Sequence, residues 1–440
     1  MSSAWSNWAG NQKARPAQIL RPRTCDDLVS AVRSAVRSKG AVRVVGAGHS
    51  FTPLGVTDGT VIDLSRHRRI LRVDRLPGGG ADVTVEAGTA LRHLNPSLAA
   101  LGLALPNLGD IDRQSVAGAI STGTHGTGST LGGLATFVVG FELVTADGEV
   151  LRASAEEEPE VFACGRVALG ALGVLSSITL RCVDAFDLQA IERPERLDDV
   201  CEAFDKSWAT NRHFEFFWVP HTGWALTKRN NPVEPGSAGP RRSRWARLRD
   251  EELLSNIAFG AVCRVGRRLP SLVPRLATAI PSSGQSHYVE RSDRAFTSPR
   301  RVHFVEMEYR FPRELTMKAL DIVRRVIEEK GLRISFPVEV RVSAADDIAL
   351  STSYGGDSGW VAVHTYRGVD HRPYFEAVEA EWLALAGVGA RPHWGKLHTL
   401  TATELAPRYP EWDRFQTVRR RLDPNGAFTS PAIERLLGPV

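Results

Sequence analysis

Three places in the chain bring together residue types that can do chemistry. The first is Gly46-Ala47-Gly48-His49-Ser50, which follows the strand-like run Ala41-Val42-Arg43-Val44-Val45. Successive N–H groups at glycines form an anion-binding nest, and His49 behind it offers an imidazole nitrogen to its own loop or to a bound group. The second is Glu339 and Arg341, two residues apart within Phe336-Pro337-Val338-Glu339-Val340-Arg341-Val342. On a strand their side chains share one face. Their neighbours are apolar, so the charges lie on an element otherwise suited to burial, where a carboxylate persists only when paired. Such pairs concentrate at functional sites, and Val361-Ala362-Val363-His364 supplies a third group toward the same pocket. The third place is Arg391-Pro392-His393-Trp394-Gly395-Lys396, where a lysine follows an unusual His-Trp-Gly context.

Gly46-Ala47-Gly48 after a strand, with Asp63 downstream, invites a dinucleotide-binding Rossmann turn. The third glycine of that fingerprint would fall at Phe51, and the helix it requires would contain Pro53, Gly55 and Gly59. Such a segment is a poor helix. A pyrophosphate can still sit on the nest without one.

The elements that must position these groups read as α+β. Asp26–Ala35 carries Leu28, Val29, Val32 and Ala35 at helical spacing behind an acidic first turn. Residues 60–64 and 83–87 are strand-like, and 91–101 is helical up to Gly102. Residues 117–129, rich in Gly, Thr, Ser and Ala, suit a loop close to a ligand. Residues 137–143 and 172–181 resume β-branched strand patterns. Residues 230–250, with Pro232, Pro235, Gly236, Gly239 and Pro240, carry the strongest signal in the chain for a long loop. Beyond it, strands at 303–311 and 334–342 flank a helix over 314–331. The organisation predicted is a first α+β domain over 1–185, a second over 186–390, and a return over 391–440.

Composition narrows the class. At 440 residues the chain exceeds what one core usually supports, and no apolar run approaches the roughly 18–20 residues of a membrane span. The N-terminus shows no basic leader or apolar signal region. Cys25, Cys164, Cys182, Cys201 and Cys263 are scattered, which argues against a disulfide framework and a cysteine-based zinc site, and no metal is expected. A reduced cytoplasm fits. The net charge of +5 comes mainly from arginine, but Arg241-Arg242, Arg300-Arg301 and Arg419-Arg420-Arg421 are short and lack interleaved stacking aromatics. They read as solvated faces, and no nucleic-acid partner is expected.

Four blocks in register resemble the vanillyl-alcohol-oxidase type of FAD enzyme, in its sugar branch. They are Val45-Gly46-Ala47-Gly48-His49-Ser50-Phe51; Ser115-Val116-Ala117-Gly118 with Ser121-Thr122-Gly123-Thr124-His125-Gly126; Leu169-Gly170-Ala171-Leu172-Gly173-Val174; and Arg391 to His398. Within that branch the aldonolactone oxidoreductases are the nearest likeness, through Phe214-Glu215-Phe216-Phe217, Glu306-Met307-Glu308-Tyr309 and His398. The alditol oxidases are similar at more distance. The resemblance implies a two-subdomain FAD domain with an α+β cap built on an antiparallel sheet. It implies FAD bound covalently through His49, with Val45 to Ser50, Gly109, Asp110, Ser115, Gly118, Thr122, Gly123, His125, Gly173, Val174 and His393 around the cofactor. His125 is expected to order its loop. Lys396 would sit beside both flavin and substrate, where a cation stabilises a developing alkoxide. Glu339, Arg341 and His364 would complete the catalytic set, with Glu339 and His364 both candidates for the base. The expected substrate is an aldonolactone, L-gulono-1,4-lactone in particular, oxidised at the hydroxyl beside its carbonyl. A polyol is the alternative. Gly109, which by resemblance lies against the flavin, favours O2 as acceptor with H2O2 as co-product, a cytochrome or dye being the other candidate.

Overall fold

Two hydrophobic cores organise the molecule, seen in a computed structural model that describes residues 4–233, 239–279 and 284–440. The first core lies between a three-stranded parallel sheet and a six-stranded antiparallel one. In the parallel sheet Thr60–Asp63 is central, flanked by Gln18–Leu20 and Val42–Val45. Helix Cys25–Arg37 covers it, buries Leu28, Val32 and Ala35, and starts one residue earlier than the acidic turn predicts. Thr24 is its N-cap, in a reciprocal capping box with Asp27. The antiparallel sheet is built on Val174–Asp184, which pairs with Ala81–Glu86 on one side and Val138–Val144 on the other. Helices Trp412–Leu422 and Pro431–Leu437 return to this core through Phe415, Ile433 and Leu436.

The second core lies under an eight-stranded antiparallel sheet spanning Asp187 to Pro392. Its strands run Ser286–Arg291, Asp187–Arg196, Trp224–Pro232, His213–Trp218, Val338–Ser343, Ser358–Tyr366, Phe304–Pro312 and Arg391–Pro392. Helices Thr316–Glu329 and Arg372–Ala386 pack on it. Strand Phe304–Pro312 is buried along nearly its whole length. Its even-numbered charges therefore point into protein, not into water.

Two expected loops are corrected. Residues 117–121 complete a short helix, Val116–Ser121, capped by the Ser115 hydroxyl, and only from Thr122 does the segment become a loop. Residues 230–250 are not one loop. Asn230 to Pro232 end the strand Trp224–Pro232, because strands on both sides supply its ladder partners and override the local turn composition. From Arg244 the chain is helical, since arginine, leucine and glutamate are good helix formers once Pro240 is past. Residues 234–238 lie outside the described part. Strand Val338–Ser343 also begins four residues later than the alternation predicts, after Pro337, which cannot donate to the ladder.

Candidate active site

Two cavities open on either side of His49. One, an empty space of about 1080 Å³, is walled by three segments of the first core region: 43–55, 114–122 and 165–175. The other, about 1020 Å³, faces the cap sheet and takes in Glu306, Glu308, Glu339, Arg341, His364 and Lys396. His49, Ser50, Gln114 and Thr122 line both, so the two spaces meet at the histidine.

The loop carrying His49 is fixed from three directions. Gly48 adopts φ +68°, a left-handed conformation that glycine takes without strain, and its carbonyl accepts from Trp8 N–H at 2.7 Å. Asn7 Nδ2 donates to the Ser50 carbonyl at 2.9 Å. The C-terminal return closes the third side: Phe51 N–H donates to Gly395 O at 2.7 Å and Thr52 Oγ1 to Trp394 O at 3.0 Å. The His-Trp-Gly-Lys signature is thereby a clamp on the loop as well as the source of Lys396. Trp8 stacks with the imidazoles of both His49 (centroids 5.4 Å apart) and His303 (4.6 Å). Burial, then the positive charges of Lys396 and Arg113, push the His49 pKa down to about 4, so its ring is neutral at pH 7. Its Nδ1 is buried without a hydrogen-bond partner, an expensive state for a polar atom unless something absent from the protein bonds to it.

These features fit a flavin dinucleotide. The first cavity runs from the glycine nest to the His49 junction. Arg43, wholly buried on its wall, donates to the carbonyls of Leu54, Gly170, Phe428 and Leu169 and forms no ion pair with any described residue. A buried cation in need of a counter-charge suits the wall of a pyrophosphate site. Val45, Gly46, Ala47, Gly48, Ser115, Gly118, Thr122 and Gly173 line this space, whereas Gly109, Asp110, His125 and His393 line the other. Gly123 and Val174 line neither. Val174 is fully buried at the start of a central strand, and Gly123, at φ +71°, turns the chain after its helix.

In the second cavity the cap contributes a dense charge cluster. Arg341 Nε donates to Glu215 at 2.9 Å, its Nη2 lies 2.6 Å from Asp110, and it also contacts Glu339. Arg300 holds Asp110 at 2.7 Å and Lys228 holds Glu215 at 3.3 Å. Three carboxylates thus face three cations, and Glu339 alone depends on Arg341. The Glu339–Arg341 contact lacks hydrogen-bond alignment, so Glu339 Oε1 and Arg341 Nη2 meet as charges while keeping donor and acceptor capacity. Burial pushes the Glu339 carboxyl well above the usual carboxylate range; Arg341 opposes this, and Asp110, Glu215 and Glu306 add to it.

Lys396 sits between two more carboxylates, with Nζ 2.5 Å from Glu306 and 3.8 Å from Glu308. Burial raises the Glu306 carboxyl, but Lys396 and then His364 outweigh it and leave it at about 2. His364 Nδ1 faces the Pro337 carbonyl at 3.1 Å, which can only accept, so the proton resides on Nδ1 and Nε2 turns toward Glu306 at 3.5 Å. His125 has no free nitrogen: Nδ1 meets Gly126 O at 2.9 Å, Nε2 lies 3.4 Å from Glu308, and the ring stacks on Trp360 at 3.8 Å. Burial pushes the His393 pKa down to about 3, and its Nδ1 accepts from Gly395 N–H at 3.0 Å.

The structure thus gathers Glu339, Arg341, His364 and Lys396 into one cavity. Glu306, Glu308, Arg300 and Trp8 are lining residues that sequence reasoning did not place there, and Glu215 supports Arg341 from outside the lining. Glu306 and Glu308 carried a usable signal, since they alternate on an apolar strand as Glu339 and Arg341 do. Ligand atoms of His125, Glu308 and His393, of Glu306, Glu339 and His364, and of Asp110, Glu215 and Glu339 approach within 4.8 Å of one another. Lys396 and Arg341 already place positive charge against these groups.

Comparison with known proteins agrees with this geometry. Residues 16–154 match the FAD binding domain family and residues 178–436 the D-arabinono-1,4-lactone oxidase family. L-gulono-1,4-lactone dehydrogenase of Mycobacterium tuberculosis is 42% identical over 443 residues, covering 100% of both chains. L-gulonolactone oxidase of Scyliorhinus torazame is 33% identical, covering 99% of this chain and 98% of its own. Alditol oxidase of a Streptomyces species is 32% identical, covering 99% and 100%. Among solved structures, a solvent-stable cholesterol oxidase superposes with a TM-score of 0.81 at 18% identity, covering 100% of this chain and 98% of that one, a likeness of fold alone. With its FAD-binding domain of vanillyl-alcohol-oxidase type and its lactone-oxidase segment, the chain belongs to the aldonolactone oxidase/dehydrogenase family of flavin-dependent oxidoreductases.

Proposed function

We propose that the protein oxidises L-gulono-1,4-lactone at the hydroxyl beside the lactone carbonyl, with its flavin bonded to His49. The observation that carries this reading is the shared cavity in which Glu339, Arg341 and Lys396 face the His49 junction. FAD, when bound, supplies the two-electron acceptor that takes hydride from the carbinol carbon. The residues do the rest. The guanidinium of Arg341 and the ammonium of Lys396 hold the hydroxyl oxygen and offset the negative charge it develops. Glu339 takes the hydroxyl proton: its Oε1 has acceptor capacity to spare, and an upward-shifted carboxyl is a stronger base. His364 is left the lesser part, since its Nε2 faces Glu306. The free Nδ1 of His49 is the atom available to bond to the flavin 8α-carbon.

The lactone is favoured because its carbonyl acidifies the neighbouring C–H and the product conjugates as an enediol. Flavin bleaching without oxygen, across a panel of aldonolactones and polyols, tests this. Fastest reduction by L-gulono-1,4-lactone is expected, and faster reduction by xylitol or sorbitol would reassign the enzyme to polyols. For the acceptor, the reading is O2, released as H2O2, through the space at Gly109. A methyl added there would meet the His125 carbonyl oxygen at 3.0 Å and press on the loop at the cavity wall. Reoxidation of lactone-reduced enzyme in air within seconds, slowed by Gly109→Ala, is the expected result. The name of the 42%-identical mycobacterial relative favours a second reading, a dehydrogenase using another acceptor. Reduced flavin persisting for minutes in air would select it.

A further inference from the structure

The helical segment that roofs the substrate cavity has a second, outward face. Arg244–Arg247, Leu248–Ala258 and Phe259–Arg268 run on without a break, the middle stretch π-helical, and Val273–Thr278 follows. Asn256, Gly260, Cys263 and Gly266 are buried on the inner side, and Asn256 accepts from Arg301 N–H at 2.8 Å and donates to Pro299 O at 2.9 Å. Phe259 lines the cavity and meets Phe336 edge-on at 4.8 Å. The inner contacts hold the segment to the cap. On the outer side Trp245 is 79% exposed, Ile257 59% and Leu254 54%, and the stripe continues through Val265 to Leu269. Half of the exposed large apolar side chains among the described residues fall between Trp245 and Leu269. Such a concentration of exposed apolar side chains in one segment marks an interaction surface.

Its charge says what kind. Residues 241–279 hold nine arginines against Asp250, Glu251 and Glu252, an excess above the +5 of the whole chain. The carboxylates are engaged by Arg242, Arg247, Arg249 and Arg301. Arg264, Arg268 and Arg275 are exposed and form no ion pair among the described residues. Exposed apolar side chains interspersed with free arginines along consecutive helices are the composition that lies in the plane of a lipid surface, with the apolar groups at the acyl boundary and the guanidinium groups on phosphates. A second copy meeting this face two-fold would set like charges against each other. No helix among the described residues is long and apolar enough to cross a bilayer.

We propose that this outer face docks the protein onto an anionic lipid surface, an inference independent of the substrate and acceptor. Sedimentation of the flavin-loaded protein with phosphatidylcholine vesicles, with and without about one-third phosphatidylglycerol, at salt from about 0.05 M to about 0.5 M tests it. Binding is expected only to the anionic vesicles, and weaker at high salt. Each free arginine contributes about fivefold, so Arg264→Gln, Arg268→Gln and Arg275→Gln together weaken binding roughly 100-fold. Leu254→Ser, Ile257→Ser and Val265→Ser together should abolish it at either salt. Unchanged melting temperature and flavin content verify that each variant is folded. Failure of the wild type to sediment with anionic vesicles would overturn the proposal. So would wild-type affinity in both triple variants, or dimerisation that the serine variant alone disperses.

Discussion

Replacing Arg341 by methionine removes the cation that Glu339 contacts directly, whereas Asp110 keeps Arg300 and Glu215 keeps Lys228. Glu339 is buried, and the carboxylates Asp110, Glu215 and Glu306 bring ligand atoms within 4.8 Å of its own. Two ionised carboxylates at that separation repel by about 3.5 kcal/mol at an effective dielectric of about 20. Burial already holds the wild-type Glu339 carboxyl well above the usual carboxylate range against the opposition of Arg341, and the folded variant, without that opposition, keeps it protonated throughout. Relative to a free carboxyl near pKa ~4.3, full protonation costs about 1.4 kcal/mol per pH unit, or about 4 kcal/mol at pH ~7.5, a ceiling on the variant's loss because the wild type already bears part of that cost. The figure falls within the ~3–5 kcal/mol typical of removing one partner of a buried pair. The sign follows from proton counting. A folded-state pKa raised above the unfolded one means the folded variant binds more protons, so its deficit shrinks as pH falls toward ~4.3. Urea unfolding of both proteins should give a difference of at most about 4 kcal/mol at pH ~7.5, narrowing to at most about 1.5 at pH ~5.5. A difference below about 1 kcal/mol, or one equal at both pH values, would refute the reasoning, because Glu339 would then carry its charge or its proton independently of Arg341. The same variant should lose at least roughly 100-fold in kcat/KM with its flavin retained.

His49→Ala should abolish the flavin fluorescence that the wild type retains on a denaturing gel, while non-covalent FAD still binds the nest; yellow cofactor washing off the denatured wild type would sink the covalent assignment. Lys396→Met should also cost at least roughly 100-fold in kcat/KM, and combined with Arg341→Met the two losses should be strongly non-additive, which a double-mutant cycle in steady-state kinetics measures. Burial above all pushes the pKa of His213 down to about 4 and those of His393 and His398 to about 3. The unfolded chain therefore takes up protons at these sites that the folded one does not. Stability contributed above pH ~6.5 should drain away as pH falls toward ~4, by up to about 4 kcal/mol per pH unit for the three together, readable in urea midpoints between pH ~7 and ~5. Asp423→Asn should lower stability and loosen the cofactor, since its carboxylate accepts from Ala427 and Phe428 N–H at 2.7 and 2.8 Å, and the Phe428 carbonyl receives Arg43. Thermal shift with and without added FAD follows both effects.

Much of the site was legible in the chain itself. The Gly-His-Ser loop is local: a positive φ at Gly48, the nest and the histidine lie within five residues, so composition and order suffice. Glu339 and Arg341 were equally legible, because strand periodicity alone puts alternate residues on one face. What the sequence could not state is which charges those two would meet. Asp110, Glu215, Arg300 and Lys228 come from separate segments, and Glu306 and Glu308 reach Lys396 only because strands Phe304–Pro312 and Arg391–Pro392 pair. Long-range pairing also decided the strand ending at Pro232, whose hydrogen bonds come from neighbours on both sides and outweigh a turn-rich composition. The helix after Pro240 was misread for the complementary reason. Its outer face is exposed among the described residues, so its apolar residues break the polar pattern expected of a surface helix, and only the tertiary fold shows which side of it is buried. Local conformation and face follow from a few neighbouring residues. The partners of a buried charge are fixed only when distant segments share a low-dielectric interior and must balance one another there.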